Sequence, residues 1–167
     1  MEQLTHYDIE NKQKQFPITI VCDAIRTPEN IGMCFRISES FGVNKIYFHN
    51  VSPSVENRIV KKTARNTINQ VSHAYYTDFK QIIQQIKAEG NTIIGIEITD
   101  KSINIQNFKF NNHEKIVLLL GSERNGIENI NLVDKTIAIP MFGRNSSMNV
   151  IHSLAITLYE VTNQLPK

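Results

Sequence analysis

The sequence predicts an α/β domain in which a mostly parallel sheet is flanked by helices. Short apolar runs of the kind found in buried strands alternate along the chain with longer segments whose apolar residues recur every three or four positions. Alternation of this kind builds strand–helix–strand units, whose strands lie parallel. The carboxyl ends of these strands should therefore meet at one edge of the sheet, where α/β proteins bind their ligands.

The first unit follows a polar lead-in, residues 1–15, which we expect to be exposed. The near-continuous apolar run from Phe16 to Asp23 predicts a central strand. A helix should then begin with Thr27 as its cap and Pro28 at its first position, where the missing N–H of proline costs nothing. Gly42 should end this helix.

The middle of the chain repeats the alternation. A helix is predicted over residues 55–68, and its inward-facing residues should be Val55, Ile59, Val60 and Ala64. Another helix over 78–89 should end at Gly90. Residues 100–114 form a polar link with little pattern. The remaining strands are predicted over 45–49, 71–76, 92–98, 115–120 and 137–139.

The C-terminal segment predicts a long helix behind a polar loop. Pro140 halts the strand that precedes the loop, and Gly143 begins the small and polar residues of the loop itself. Ser146 or Ser147 should cap the helix. Its buried stripe should consist of Ile151, Leu154, Ala155, Leu158, Thr162 and Leu165.

Length and composition favour one domain, residues 1–167, with a packed core. Hydrophobic residues make up 41% of the chain and charged residues 20%, which excludes a disordered chain. No apolar run approaches the ~20 residues that span a bilayer, so we expect a cytoplasmic protein that does not contact membranes. Cys22 and Cys34 lack metal-ligand spacing, and we expect them to be core thiols in a protein without a metal site.

Several common enzyme motifs are missing from the sequence. Residues 121–126 have the glycine spacing of a phosphate-binding loop, but Ile127 and Glu128 follow where Lys and Ser or Thr are required. No G-x-G-x-x-G follows the first strand. His152 lacks the elbow motif that would place it in a catalytic triad, so a core or surface histidine explains it better. An ATPase, a dinucleotide-binding enzyme and a Ser-His-Asp hydrolase are therefore disfavoured.

Polar residues stand out near three loops of the predicted edge, those after Asp23, Leu120 and Ile139. Each has an ordinary explanation by itself, such as a helix cap or a local ion pair. These residues are Asn30, Arg36, Glu123, Asn145, Ser147 and Asn149.

Taken together, the three segments resemble the signature motifs of a known family. They read Asn30-Ile-Gly-Met-Cys-Phe-Arg36 with Phe41-Gly42, then Leu120-Gly121-Ser-Glu123-Arg-Asn-Gly126, then Ile139-Pro-Met141 through Ser147-Met-Asn149-Val150. In order and separation they look like the motifs of the SpoU (TrmH-like) RNA ribose 2′-O-methyltransferases of the SPOUT superfamily. The resemblance extends from about Ile18 to Leu165.

The resemblance implies one SPOUT methyltransferase domain whose C-terminal segment forms a deep trefoil knot, a feature that periodicity cannot predict. It also implies a homodimer and S-adenosyl-L-methionine as cofactor. The implied catalytic or substrate-orienting residues are Arg36, Asn30, Glu123, Ser147 and Asn149. The implied cofactor-binding residues are Ile96, Glu97, Gly121, Ile139, Met141, Ser147 and Met148.

A basic face on the predicted 55–68 helix suggests where RNA would bind. Its four cations are spaced to share one side, and phosphate contacts or simple solvation explain them equally well. With Arg124 added, the predicted RNA-binding residues are Arg58, Lys61, Lys62, Arg65 and Arg124.

The resemblance does not identify the RNA substrate. Family members often carry a stretch of small residues between the first two motifs, where this chain has Lys62 to Asn66, and Arg124-Asn125 departs from the usual second motif. For a small domain of net charge +2, we expect transfer RNA rather than ribosomal RNA. The rival hypotheses are a catalytically silent RNA-binding module of the same fold and an unrelated nucleotide-binding α/β enzyme.

Overall fold

A seven-stranded, fully parallel sheet forms the centre of the computed structural model, which describes residues 3–4, 8, 13–110 and 115–166. The strand order within these residues is β3-β2-β1-β6-β4-β7-β5. The strands are β1 Phe16–Cys22, β2 Val43–His49, β3 Ser72–Tyr76, β4 Asn91–Ile96, β5 Ile103–Asn104, β6 Lys115–Leu120 and β7 Lys135–Ala138.

Helices cover both faces of the sheet. They are α1 Pro28–Ser40, α2 Arg58–Ala64, α3 Phe79–Ala88 and α4 Val150–Gln164. Alternate residues of the central strands pack into two apolar clusters, so that Leu118 lies in one and Val117 in the other. Burial on both faces is the reason that these strands read as continuous apolar runs.

The predicted strands and helices are confirmed in kind and order, but α2 is shorter than predicted. Asn57 caps it by accepting hydrogen bonds from the backbone N–H groups of Ile59 and Val60, and Arg65 ends it with a positive φ of 56°. Ile59, predicted to face inward, is 42% exposed. A 3₁₀ turn, Thr67–Asn69, replaces the rest of the predicted helix.

The cap of α4 was also predicted wrongly. Asn149, not Ser146 or Ser147, accepts the hydrogen bond from the backbone N–H of Ile151. The buried stripe runs through Ile151, Leu154, Leu158, Val161 and Leu165, with Thr157 also buried, whereas Ala155 and Thr162 are only partly covered. At the start of α1, Thr27 occupies the cap position without a capping side-chain bond.

Two further segments differ from expectation or lie outside the described residues. The link after residue 100 contributes the short edge strand β5 and a 3₁₀ turn, Ile105–Asn107, while residues 111–114 lie outside the described part. Residues 3–4, 8 and 13–15 of the predicted lead-in are exposed, and the other lead-in residues lie outside the described part of the chain. Cys22 and Cys34 are confirmed as buried free thiols.

The strand order brings the carboxyl ends of β4, β6 and β7 side by side. β4 pairs with β6 on one side and with β7 on the other. The loops that leave β6 and β7 therefore start at neighbouring points of one edge. The trefoil knot stays a prediction from the family resemblance. Among the described residues, no helix is long and apolar enough to cross a membrane.

Candidate active site

A cavity of about 650 Å³ opens at the carboxyl ends of β4, β6 and β7. Its walls come from the segments that follow these three strands and from the start of α4. All seven residues predicted to bind a cofactor line it, namely Ile96, Glu97, Gly121, Ile139, Met141, Ser147 and Met148. Glu123, Arg124 and Asn149 line it as well.

The side chain of Glu123 joins the loop after β6 to the start of α1. Its carboxylate accepts hydrogen bonds from the backbone N–H of Thr27 at 3.0 Å and of Arg26 at 3.2 Å. It accepts a third, also at 3.0 Å, from the side-chain amide of Asn30. An anion near a helix N-terminus is favoured by the free N–H groups and the helix dipole. Glu123 thus anchors the two residues that lead into α1, while Thr27 makes no capping side-chain bond.

Asn30 continues this network to the third motif. The side-chain amide of Asn149 donates to Oδ1 of Asn30 at 3.1 Å, and Asn30 is only 7% exposed. One buried amide therefore donates to Glu123 and accepts from Asn149. The three motif loops, separated along the chain, meet at this one side chain.

The hydrogen bonds also determine the charge of Glu123. Partial burial acts to raise the pKa of Glu123, but the bonds from its own backbone, from Asn30, and from the backbone of Thr27 and Arg26 outweigh burial and lower the pKa. The carboxylate is therefore ionised at neutral pH. An ionised carboxylate that accepts bonds from these donors is suited to holding the loops in position.

A second carboxylate, Glu97, supports the cavity wall between β4 and β6. It accepts hydrogen bonds from the backbone N–H of Ile98 at 2.9 Å and of Ile127 at 3.2 Å. It sits against Gly126, whose φ is +63° and where an added Cβ would lie 2.2 Å from the carboxylate. At Gly121 an added Cβ would lie 2.1 Å from the backbone of Gly126. Neither glycine leaves room for a side chain. The spacing of residues in the sequence did not indicate that Glu97 binds the backbone of the loop after β6.

Beside the cavity, Asp23 follows β1. Burial raises the pKa of Asp23, while His49 at the end of β2 opposes this shift. The ring of His49 packs edge-on against Tyr76, with the ring centres 5.1 Å apart. Tyr76 donates its hydroxyl to the carbonyl of Cys22 at 3.2 Å. These residues extend the polar edge beyond the cavity, and no motif in the sequence indicated His49 or Tyr76.

Arg36 stands apart from the network. It lies on α1 six residues beyond Asn30, a rise of about 9 Å along the helix axis. It is half-buried, and within the described part of the chain its guanidinium group makes no hydrogen bond or ion pair. The structure brings Glu123, Ser147 and Asn149 to the cavity and bonds Asn30 to two of them, whereas Arg36 makes no hydrogen bond to this network.

The predicted RNA-binding residues are all exposed. Lys61 pairs with Glu56, whereas Arg58, Lys62 and Arg65 have no ion-pair partner among the described residues. Arg124 lies at the cavity itself. Of the predicted RNA-binding residues, four therefore lie on or next to α2 and one, Arg124, lies at the cavity.

The residues that line the cavity suit a ligand that has both an apolar ring and charges of both signs. Isoleucine side chains and backbone groups form much of the wall, and two carboxylates and one guanidinium group reach it. The volume of about 650 Å³ falls within the roughly 300–1,000 Å³ typical of small-molecule pockets. A nucleoside that carries an amino acid, such as S-adenosyl-L-methionine, fits this description.

A parallel α/β sheet with a cavity over the carboxyl ends of its strands defines the protein as an α/β ligand-binding domain. The three loops tied together by Asn30 narrow the class to the family that the motifs resemble. The chain belongs to the SpoU rRNA Methylase family, which matches it over residues 17–159, and thereby to the SPOUT superfamily.

Relatives and solved structures agree with this family. The chain is 27% identical over 95 residues to the 23S rRNA (guanosine-2′-O-)-methyltransferase RlmB of Neisseria meningitidis, covering 57% of this chain and 38% of that protein. It superposes on the TrmH/SpoU tRNA modifying enzyme of A. aeolicus with a TM-score of 0.80 at 23% identity, covering 91% and 77% of the two chains. It superposes on the AdoMet-bound rRNA methyltransferase of Sinorhizobium meliloti with a TM-score of 0.83 at 20% identity, covering 96% of this chain and 60% of that chain. The chain thus spans less than half of the RlmB relative's length.

Proposed function

We propose that this protein transfers a methyl group from S-adenosyl-L-methionine to a ribose 2′-hydroxyl of RNA. The observation that carries this proposal is the network in which Asn30 links Glu123 to Asn149 beside the cavity. Family membership supports it, because these are the motif residues themselves. A silent RNA-binding module would have no chemical reason to keep a cavity and this network together.

Some cavity residues offer apolar contact to the cofactor, and others offer polar groups that orient it. S-adenosyl-L-methionine, when bound, supplies an electrophilic methyl group. Ile96, Ile139 and Met148 offer apolar contact for an adenine ring, and the neighbouring backbone offers hydrogen bonds. Glu97 holds the wall through backbone N–H groups, so we assign it a positioning role within the predicted cofactor set.

Positioning is expected to supply most of the rate enhancement. Holding two reactants in attacking geometry is worth roughly 7–11 kcal/mol, whereas a positioned general base contributes about 10²–10⁴-fold. We propose that Asn30, Glu123, Ser147 and Asn149 hold the loops and orient the ribose hydroxyl. The lack of an evident base in the network is therefore compatible with the proposed reaction.

We assign Arg36 a different role, as a clamp on RNA phosphate. Its guanidinium group has no partner among the described side chains and is available to an oxyanion. A guanidinium group stays protonated in proteins, so it is suited to binding phosphate and stabilising a developing alkoxide, and poorly suited to acting as a base. Arg36 lies outside the network, which agrees with a partner that belongs to the RNA.

For the substrate we propose transfer RNA, with ribosomal RNA as the second candidate. The A. aeolicus enzyme is described as tRNA modifying, which supports the first. The RlmB relative is described as acting on 23S rRNA, which supports the second. We also propose that the protein works as a homodimer and that it is cytoplasmic.

Calorimetry is the first test of this function. S-adenosyl-L-methionine should bind with saturable heat, whereas ATP and NAD should give none. Saturable binding of ATP or NAD alone would instead favour an unrelated nucleotide-binding enzyme. RNA binding without S-adenosyl-L-methionine binding would favour the silent module.

Methyl transfer should then be followed with labelled S-adenosyl-L-methionine and RNA from a strain that lacks this protein. A methylated 2′-hydroxyl cannot assist cleavage of the adjacent phosphodiester, so the product should resist alkaline hydrolysis at one nucleotide. Mapping that nucleotide distinguishes transfer RNA from ribosomal RNA. Label that remains on an alkali-sensitive nucleotide would contradict ribose methylation.

Arg36→Ala should separate the clamp from cofactor binding. We expect methylation to fall by about 10²-fold or more, since a group that stabilises developing charge commonly contributes this much. S-adenosyl-L-methionine binding should be unchanged. Methylation at the wild-type rate would rule out the role assigned to Arg36.

A further inference from the structure

The loop between β7 and α4, residues 139–149, extends an aromatic ring into solvent beside the cavity. Phe142 is 97% exposed, and its neighbour Met141 lines the cavity. A methyl group built at Gly143 would meet nothing within 4 Å, so the backbone there stands clear of the other described residues. The fold gains no burial from Phe142.

Exposed arginines occur in this loop and at the cavity that the loop borders. Arg144, in the same loop, is exposed, as are Arg124 at the cavity and Arg26 before α1. Within the described residues none of these three guanidinium groups has an ion-pair or hydrogen-bond partner. Residues 139–149 contain no Asp or Glu. The carboxylates of Glu97 and Glu123 at the cavity keep their charge but accept hydrogen bonds from backbone N–H groups.

An exposed ring among unpaired cations matches the chemistry of single-stranded RNA. Nucleobases stack on aromatic side chains, and guanidinium groups contact the phosphates beside them. Bases inside a duplex are already stacked on both faces, so an unpaired base offers a face to Phe142 far more readily. The loop itself carries the positive charge of Arg144 and no carboxylate, which favours a polyanion over a second copy of this chain.

We propose that Phe142 stacks on an unpaired nucleobase of the RNA while Arg144 contacts the adjoining phosphate. The substrate class is then a loop or another single-stranded segment, and Phe142 is a determinant of that preference. This inference rests on the proposed function, because it assumes that RNA is the ligand beside the cavity.

The test uses the full chain and two fluorescently labelled RNAs of equal length, a hairpin with a seven-nucleotide loop and a fully paired duplex. Wild-type protein should prefer the hairpin. Phe142→Ala should weaken hairpin binding by about 5- to 150-fold, the range for loss of one stacked base, and should leave duplex binding unchanged. Phe142→Trp should keep the affinity, while Phe142→Leu, which is apolar but not aromatic, should not. Leu4→Ala removes another exposed apolar side chain and serves as the control.

A hairpin with 2-aminopurine in its loop reports stacking directly. Its fluorescence should be quenched by wild-type protein and by Phe142→Trp, but not by Phe142→Ala. Unchanged hairpin affinity for Phe142→Ala would overturn the stacking proposal, and so would a shift of that variant from dimer to monomer in sedimentation, which would place the ring at a subunit interface. S-adenosyl-L-methionine binding is measured in parallel. If wild-type protein binds neither S-adenosyl-L-methionine nor RNA, the proposed function itself fails, which is a different outcome.

Discussion

Asn149 caps α4 with its side-chain oxygen and binds Asn30 with its side-chain nitrogen, at distances of 2.8 Å and 3.1 Å. One amide thus begins a helix and connects two motifs that lie 119 residues apart. Its two functions can be separated. Capping α4 needs only a side-chain oxygen, whereas the bond to Asn30 also needs an N–H donor.

The first prediction concerns this separation. Asn149→Ser keeps a capping oxygen but loses the donor to Asn30, whereas Asn149→Ala loses both. Asn149→Ala should lower the free energy of unfolding by about 0.5–2 kcal/mol more than Asn149→Ser, as measured by urea denaturation. Both variants should weaken S-adenosyl-L-methionine binding in calorimetry. Full affinity in both would show that the Asn30 contact does not shape the cavity.

The second prediction concerns Glu123 and pH. Glu123→Gln removes the charge from a group whose pKa is lowered below the usual 4.5, so the wild type should be more stable at pH 7. Because Glu123 is partly exposed, we expect a difference of only about 1 kcal/mol. A lowered pKa contributes stability above pH 4.5, and this is lost as pH falls through the folded-state pKa. Urea denaturation from pH 7 to pH 3 should show the gap closing, and a constant gap would contradict the assignment.

The third prediction concerns Gly126. Gly126→Ala introduces a Cβ at φ +63° and 2.2 Å from the Glu97 carboxylate, and should cost about 1–3 kcal/mol of stability. Gly90→Ala is the matched control, because Gly90 has φ +78° but nothing within 4 Å of an added Cβ. Thermal unfolding should show a smaller loss for the control. Equal losses would mean that Glu97 yields and that the backbone angle alone sets the cost.

The fourth prediction concerns the basic face of α2. Arg58→Glu with Lys62→Glu should weaken RNA binding and lower the slope of log affinity against log salt by roughly 0.7–0.9 for each phosphate that the variant no longer neutralises. Lys61→Glu should have less effect, because Lys61 already pairs with Glu56. Lys80→Glu with Lys109→Glu, two exposed changes outside α2, alters the net charge by the same amount and is the control. An unchanged slope in the double variant would indicate a solvated face.

The fifth prediction concerns the proposed homodimer. Tyr159 and Ile156 lie three residues apart on α4 and are 65% and 41% exposed. Apolar side chains on an exposed helix face are candidates for a subunit interface. Tyr159→Arg should raise the dimer dissociation constant by about 10-fold or more in analytical ultracentrifugation. Wild-type protein that sediments as a monomer at all concentrations would contradict the dimer itself.

The strands were predictable because their signal is local. β1 and β6 are buried on both faces, and a run such as Lys115–Leu120 has no other plausible environment. The ends of helices were less predictable. Several neighbouring residues can offer a capping oxygen, as Ser146, Ser147 and Asn149 do, and backbone geometry chooses among them. The early end of α2 at Arg65 likewise follows from a positive φ that composition does not reveal.

The sequence by itself determined the α/β class, the order of the elements and, through its motifs, the family. Only the tertiary structure decided that Glu123 binds the start of α1, that Glu97 lies against Gly126, and that Arg36 makes no hydrogen bond to the network. The bond between Glu123 and Asn30 joins residues 93 positions apart. Periodicity reports which side of an element is buried, but side-chain bonds between distant loops depend on how the strands are ordered in space.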